Sequence, residues 1–360
     1  MTATVTHPTV DVIIDNYNYG RFLGAAIDSV LAQTSPCEHV IVVDDGSTDD
    51  SRDVIASYGD RVTAVLKENG GQASALNAGF AHSTADVVIF LDADDVLLPD
   101  TTERVAETVA GSPAVAKLQY RLEVIDESGH WTGTVKPPAH MPLPSGDVRR
   151  EELTLPFDLT WLPTSGNAFP RWVLERLFPM PEDDFRILAD SYLQHVTPLL
   201  GPVVSFEWIG GGYRVHGANS YELSTTLLDL AHVRRAVVCA DSTRRELLRV
   251  AGELGLDHPR EILSVADIAN RLVSRRFAPD LHPIASDRVP VLVIKGWRAT
   301  VRRFNVSISM RTMFAAWFFA VAVAPRPLSR RLAQSFLFPE RRPRLNRVLA
   351  RFHRQKTLTA

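Results

Sequence analysis

The first hundred residues alternate short apolar runs with amphipathic stretches, and this alternation constrains the fold more than any other feature of the chain. Val10–Ile14 reads as a buried strand, and Leu23, Ala26, Ile27, Val30 and Leu31 then recur at the three-and-four spacing of one helix face. His39–Val43, Val62–Leu66 and Val87–Leu91 read as three further strands. Between them, Ser47 or Thr48 is placed to cap a helix running to about Tyr58. Ala75, Leu76 and Ala78 line another helix, and Pro99 marks the start of a third. Strands and helices alternating at this spacing predict an α/β fold, a mostly parallel sheet with helices on both faces. Ligands in such sheets bind beyond the carboxyl ends of the strands.

Polar clusters lie at those strand ends. Val88-Ile89-Phe90-Leu91 leads out of a core into Asp92-Ala93-Asp94, where an extended chain lets two carboxylates address one hard cation such as Mg²⁺ or Mn²⁺. Short acidic turns are also common as plain solvated ends, so the neighbouring loops decide. Asp44-Asp45-Gly46 follows the second strand, where an Asp accepts hydrogen bonds from a base or ribose and the glycine allows a tight reversal. Asn16-Tyr17-Asn18-Tyr19 follows the first strand with rings able to stack on a base, although a half-buried aromatic pair is the plainer explanation of that segment alone. Asn69-Gly70-Gly71-Gln72 closes the third strand.

Taken in order, VDVIIDNYNYGRFLGAAIDSVLAQT, VIVVDDGSTDDS, NGGQASALNAGF and VVIFLDADDVLLPD resemble glycosyltransferase family 2, whose fold is the GT-A type. The four blocks cover Val10 to about Asp100. The resemblance implies an inverting, metal-dependent transfer of a sugar from a nucleotide-diphosphate donor to an acceptor hydroxyl. It implies that Tyr17 and Asp45 bracket the base, that Asp92 lies near ribose and metal, and that Asp94 ligates the cation. Asp15-Asn16 stands where the family usually has a small pair such as Pro-Thr, and an extra carboxylate there leaves the accepted base open. Asp15, Asn16 and Gln72 join the expected donor-binding set.

Two later segments extend the resemblance. Pro181–Leu193 is similar to the stretch that carries the family's acceptor-activating acid, with Ala189-Asp190 in place of Glu-Asp. Asp190 is therefore the expected base, with Asp183 and Asp184 as rivals, because an acceptor hydroxyl attacks poorly until a carboxylate takes its proton. Tyr213-Arg214-Val215-His216-Gly217-Ala218-Asn219 resembles the closing motif, which implies that His216 supplies a nitrogen to the metal or holds the diphosphate, with Arg214 as a charge partner in the donor-binding set. Trp161–Asn167 is a weaker candidate for the acceptor pocket, since the same residues make an ordinary loop.

Between and beyond these motifs, Val124–Trp131 reads as a hairpin around Gly129. Helices are expected near Pro170–Leu177 and Asp184–Leu199, short strands near Val203–Trp208 and Gly212–Val215, and helix throughout 222–280. The expected organisation is a catalytic domain over 1–220, divided into a nucleotide half (1–110) and an acceptor half (111–220). A helical extension (221–290) and a basic C-terminal region (291–360) follow.

That last region carries 15 Lys and Arg against Glu340 alone, a balance of +14, and leaves 24 basic and 41 acidic residues, or −17, in 1–290. Within it, Met313–Ala324 is apolar for twelve residues, short of the roughly twenty that span a bilayer. An interfacial segment drawn to anionic lipid fits this composition, and a buried helix with basic neighbours is the competing explanation. No nucleic-acid module accompanies the arginines, so nucleic acid is not an expected partner. The first residues carry no basic start followed by an apolar core, and Cys37 and Cys239 offer neither a disulfide framework nor a cysteine metal site. The expected setting is cytoplasmic, peripheral on the inner membrane face, with a glycan or lipid-linked acceptor in cell-envelope or surface polysaccharide synthesis. Two alternatives compete with a transferase. Leu91–Val96 also satisfies the signature of a haloacid-dehalogenase-type phosphatase with Asp92 as nucleophile, though it would then lie about ninety residues into the sheet. A catalytically silent binding protein that kept the fold is the other.

Overall fold

The computed structural model describes residues 7–217, 228–303 and 306–337. The chain opens with β1 (Val10–Asn16), α1 (Gly20–Leu31), β2 (Val40–Asp44), α2 (Ser51–Ser57), β3 (Thr63–Leu66), α3 (Gln72–His82) and β4 (Val87–Asp92). A short β5 (Val96–Leu97) and α4 (Thr101–Gly111) lead to the hairpin β6 (Lys117–Ile125) and β7 (Trp131–Lys136). Next come α5 (Arg149–Thr154), β8 (Asn167–Pro170), α6 (Arg171–Leu177), α7 (Ala189–Val196) and β9 (Val203–Arg214). The remainder is helical: α8 (Leu230–Glu253), α9 (Val265–Phe277), α10 (Val289–Arg302), α11 (Ile308–Val323) and α12 (Arg326–Leu337).

One sheet runs in the order β3-β2-β1-β4-β8-β6-β9-β5, with β7 paired to β6. The β3-β2-β1-β4 half is parallel, and β8 enters antiparallel beside β4. This is the expected α/β architecture of GT-A type. Val12, Ile14, Val42, Ile89 and Leu91 pack on one side of the strands against Leu23 and Ile27 of α1. The strands are apolar on both faces because helices cover both, so their burial is nearly continuous. Registers Asp15↔Asp92 and Asn16↔Asp44 bring the carboxyl ends of β1, β2 and β4 to one rim.

Several local expectations are corrected. Neither Ser47 nor Thr48 caps α2: Ser47 Oγ accepts from Asn16 Nδ2 and Asn18 N, and Thr48 N donates to Asn18 Oδ1. Asp49 takes over near the start of α2, accepting from Ser51 N and Gly20 N. The helix expected from Asp184 begins instead at Ala189, after Leu188 adopts φ 77. The two short strands near 203–215 are one strand, β9. Gly210, Gly211 and Gly212 let it close on β5 and β6, since a Cβ at these positions would meet the Tyr120 ring, Val96 O or Ile125. The helical span 222–280 is broken between α8 and α9, and 222–227 lies outside the described residues.

By contacts the chain divides into one unit of 1–219 with 241–260 and a second of 220–240 with 261–360. Thus 241–260 joins the sheet-bearing unit, while 261–290 and the described part of 291–360 share one core. In that core Leu272, Leu292, Phe314, Phe318 and Val321 are buried together, and a buried ion pair joins Arg271 to Asp287. Gly296 of α10 lies so near the Phe318 ring of α11 that a Cβ would sit 2.5 Å from it. The apolar run Met313–Ala324 is therefore divided: Phe314, Trp317, Phe318 and Val321 face the core, whereas Phe319 and Val323 are exposed.

Candidate active site

The rim of the sheet gathers four acids. Asp15 is the last residue but one of β1, Asp92 ends β4 beside it, and Asp94 and Asp95 follow in the turn. Two ties hold that turn. Asp95 N donates to Asp92 O, and Asp92 N donates to Ser165 Oγ. Burial and mutual repulsion raise all four carboxyls above their ordinary range. Asp15 is pushed up to about 7, first by desolvation and then by Asp94. Burial also raises Asp92 and Asp95, with Asp15 the main charged neighbour of the first and Asp94 of the second. Asp94 is raised by burial and held back by His216, whose Nε2 lies 3.0 Å from Asp94 Oδ2. Tyr19 packs against His216 in a T-shaped contact with ring centroids 5.5 Å apart, and its hydroxyl is pushed up to about 12 by burial, then by Asp94 and Asp92.

Whether this rim suits a divalent cation can be judged from its own atoms. Asp15 Oδ1 is buried without a hydrogen-bond partner, and the charged neighbours that act on Asp15 and Asp92 are carboxylates, whereas His216 and Arg214 offset Asp94. Oxygen donors in this number match Mg²⁺ or Mn²⁺. Asp94 and His216 meet directly, whereas Asp92, at the same rim, stands farther off than the 4.8 Å that would place all three donor atoms in one set, so an ion there would have to draw Asp92 in. Among the described residues that spacing is reached by Asp11, Glu38 and His39, a group that could bind a metal. It sits at the opposite ends of the strands. There Asp11 Oδ2 already accepts from Ser83 Oγ, Thr84 N and Ala85 N, while Oδ1 accepts from His39 N. Those contacts make Asp11 a knot joining the starts of β1, β2 and β4.

The structure puts other expected residues to internal use. Asp45 accepts from Lys67 Nζ at 2.7 Å, Gly70 N at 2.9 Å and Gly71 N at 2.7 Å, so it clamps the loop ahead of α3. Asn16 Nδ2 donates to Asp44 Oδ1 and Ser47 Oγ, which ties β1 to β2. Tyr17 is exposed beside them. Arg214 staples the acidic turn: its Nε donates to Asp94 O, its N to Asp95 Oδ1 and its Nη1 to Asp126 O. Ala218 and Asn219 of the closing motif lie outside the described residues.

Asp190 sits in the first turn of α7, accepts from Gln194 Nε2 at 3.1 Å and is raised by burial. Asp190 is also among the charged neighbours that raise Asp92, after Asp15, Asp95 and Asp94. Of its rivals, Asp184 accepts from Ser242 Oγ and Arg245 Nη2, and Asp183 is exposed. The approach to α7 docks on the glycine loop: Arg186 Nη1 donates to Gly70 O, and Gln72 N donates to Arg186 O. Gln72 then connects both halves of the site, with Nε2 donating to Asp92 Oδ1 and Oε1 accepting from Ala189 N.

Further buried polar residues, to which the sequence reading gave no part in a transferase site, act on Asp190. Lys117 of β6 is buried with its Nζ 4.0 Å from the Trp161 ring centroid and its pKa pushed down to about 7 by desolvation. Glu152 and His195 pair at 2.6 Å nearby, and Glu152 and Asp190 both act on the Lys117 charge. Lys117 shares the polar register of β6 with Gln119, Arg121 and Glu123, opposite Leu118, Tyr120 and Leu122, so the alternation itself does not set it apart from an ordinary outward-facing strand residue. Ser165 and Tyr19 were visible only as parts of loops.

Comparisons with known proteins bear on the family and the fold. The family model described as Glycosyl transferase family 2 matches residues 11–171. An uncharacterized glycosyltransferase of Nostoc sp., alr2836, is 40% identical over 216 residues, covering 59% of this chain and 66% of that one. Uncharacterized glycosyltransferase RP339 of Rickettsia prowazekii is 36% identical over 140 residues, 38% of this chain and 43% of its own. The chain thus spans less than two thirds of the length of these relatives. Among solved structures, S. aureus TarS 1-349 in complex with UDP-GlcNAc superposes with a TM-score of 0.53 at 13% identity, over 93% of this chain and 92% of that one. This is a likeness of fold.

Proposed function

We propose that this chain, which belongs to glycosyltransferase family 2, transfers a sugar from a nucleotide-diphosphate donor to an acceptor hydroxyl with inversion at the anomeric carbon. The observation that carries the proposal is the crowding of Asp15, Asp92, Asp94 and Asp95 at the rim, linked through Gln72 to the helix bearing Asp190. Family membership favours this over a phosphatase using Asp92. The UDP-GlcNAc bound by the TarS structure supports a nucleotide-sugar donor.

In this reading Asp94 and His216, with Asp92 drawn in beside them, would hold a Mg²⁺ or Mn²⁺ ion, and that ion would neutralise the donor diphosphate. Tyr17 and Asp15 flank the base, and Tyr19 closes the space beside His216. Asp45, Asn16 and Arg214 act by fixing the loops that carry these groups. Asp190 takes the proton of the acceptor hydroxyl as that oxygen bonds to the anomeric carbon. The bond from that carbon to the diphosphate oxygen breaks on the opposite face. Burial, by raising Asp190, suits it to accept a proton.

The finer reading is a role in cell-envelope or surface glycan synthesis, with a glycan or lipid-linked acceptor and the basic 291–360 region at an anionic membrane surface. No described helix is long and apolar enough to cross a membrane. A panel of sugar nucleotides tested for protection against thermal unfolding, with and without Mn²⁺, checks the donor class. Mn²⁺-dependent protection by one nucleotide series supports the proposal, and its absence across the panel counts against it.

A further inference from the structure

Half of the exposed large apolar side chains among the described residues fall between Val291 and Leu328. They are not scattered there. On α10, Val291, Ile294, Trp297 and Val301 recur every three or four residues along one exposed face, with Ile294 at 53% and Val301 at 71% exposure. On α11, Ile308, Phe319 and Val323 are exposed on one face as well. Arg311 Nη1 donates to Val301 O and Trp297 Nε1 donates to Ala315 O, so the two helices run antiparallel in a defined register. That register sets Ile294 level with Phe319 and Val291 level with Val323. The helical positions put both exposed faces on the same side of the hairpin, making one apolar strip along its seam. A strip of this size on an otherwise folded surface marks an interaction site.

The charge around the strip selects its partner. Residues 291–337 carry eight Lys and Arg and no Asp or Glu. Arg298 and Arg302 are exposed on α10 beside the strip, and Arg326, Arg330 and Arg331 are exposed on α12. A second copy of this face would bring arginines against arginines. The chain's own end is no better matched, since Arg341, Arg342, Arg344, Arg347, Arg351, Arg354 and Lys356 oppose only Glu340. An anionic bilayer surface satisfies both parts, with apolar side chains entering the acyl boundary, an indole at headgroup level and arginines on lipid phosphates.

We infer that the α10–α11 hairpin lies flat on anionic membrane through Val291, Ile294, Trp297, Val301, Phe319 and Val323, with Arg298 and Arg302 gripping lipid phosphate. This rests on the membrane reading of 291–360 given above and is independent of the chemistry at the acidic rim. Because α10 and α11 bury their opposite sides in the core around Phe318, the hairpin binds as a folded surface and stays outside the bilayer centre.

The full-length protein should co-float with vesicles made of equal parts phosphatidylglycerol and phosphatidylcholine and remain behind with phosphatidylcholine alone. Ile294→Asp with Phe319→Asp, both at exposed sites, should lower vesicle binding at least about tenfold while leaving the unfolding temperature and nucleotide protection unchanged. Arg298→Gln with Arg302→Gln should weaken binding and flatten its salt dependence. Quenching of tryptophan fluorescence by brominated lipid should fall in Trp297→Phe. Equal binding to both vesicle types, or undiminished binding by the aspartate variant, overturns the inference. So does a concentration-dependent dimer in sedimentation that the same variant abolishes. Loss of vesicle binding with nucleotide protection intact separates this inference from the catalytic reading.

Discussion

Gln72 holds Asp92 and the start of α7 at the same time: its Nε2 donates to Asp92 Oδ1 at 3.2 Å, while its Oε1 accepts from Ala189 N at 3.1 Å. The side chain is thus a strut between the acid at the end of β4 and the helix that presents Asp190. Gln72→Leu should keep nucleotide protection within a fewfold of the parent and reduce turnover by about 100-fold, the scale at which misplaced catalytic groups lose rate. Parallel measurement of nucleotide-dependent unfolding and sugar transfer tests this. Equal loss in both would give Gln72 a donor-binding role.

Replacing the proposed base separates binding from chemistry. Asp190→Asn conserves shape and the contact with Gln194, so donor protection should persist while transfer falls by about 10²–10⁴-fold. Turnover near the parental rate would move the base elsewhere.

Gly71 links the two halves by its backbone. It adopts φ 89, and a Cβ there would lie 2.4 Å from Arg186 O in the segment leading to α7. Gly71→Ala should therefore destabilise the fold by about 1–3 kcal/mol, read as a lowered denaturation midpoint. It should also slow transfer, because the approach to Asp190 must shift. A midpoint equal to that of the parent contradicts the close packing of these two loops.

Lys117 predicts a pH dependence. Burial holds its folded pKa at about 7, below its ordinary value of 10.5, so the unfolded chain binds the extra proton between those values and stability rises with pH across that window. Lys117→Met lacks this contribution. The variant's advantage over the parent should be largest below about pH 7 and shrink as the pH rises towards 10. Paired thermal melts across that range measure it, and a pH-independent difference would show that Lys117 acts through packing against Trp161 alone.

Much of the parallel half was legible because its information is local. Apolar runs, three-and-four spacing and acids at strand ends fall within a few residues of each other, and β1 to β4 appear where those patterns lie. The second half hid what depends on distant partners. The β9 strand looked like two because Gly210–Gly212 interrupts the apolar pattern, and only the close approach of Tyr120, Val96 and Ile125 explains those glycines. The late start of α7 follows from Arg186 and Gln72 binding across the site. Asp45 and Arg214 were visible as polar residues at a rim, but nothing in their spacing distinguishes a loop clamp from a ligand contact. The strip on α10 was obscured for a similar reason. One helix supplies four of its side chains, yet only the α10–α11 register makes them continuous with Phe319 and Val323.

The acidic rim as the seat of a cation-borne nucleotide is tested most directly by calorimetric titration of nucleoside diphosphates into the full-length protein, with Mn²⁺ and then with a chelator, in parent and Asp94→Ala. One diphosphate should bind the parent with Mn²⁺ and weaken at least about 100-fold both on chelation and in Asp94→Ala. Affinity that ignores both changes would contradict the account.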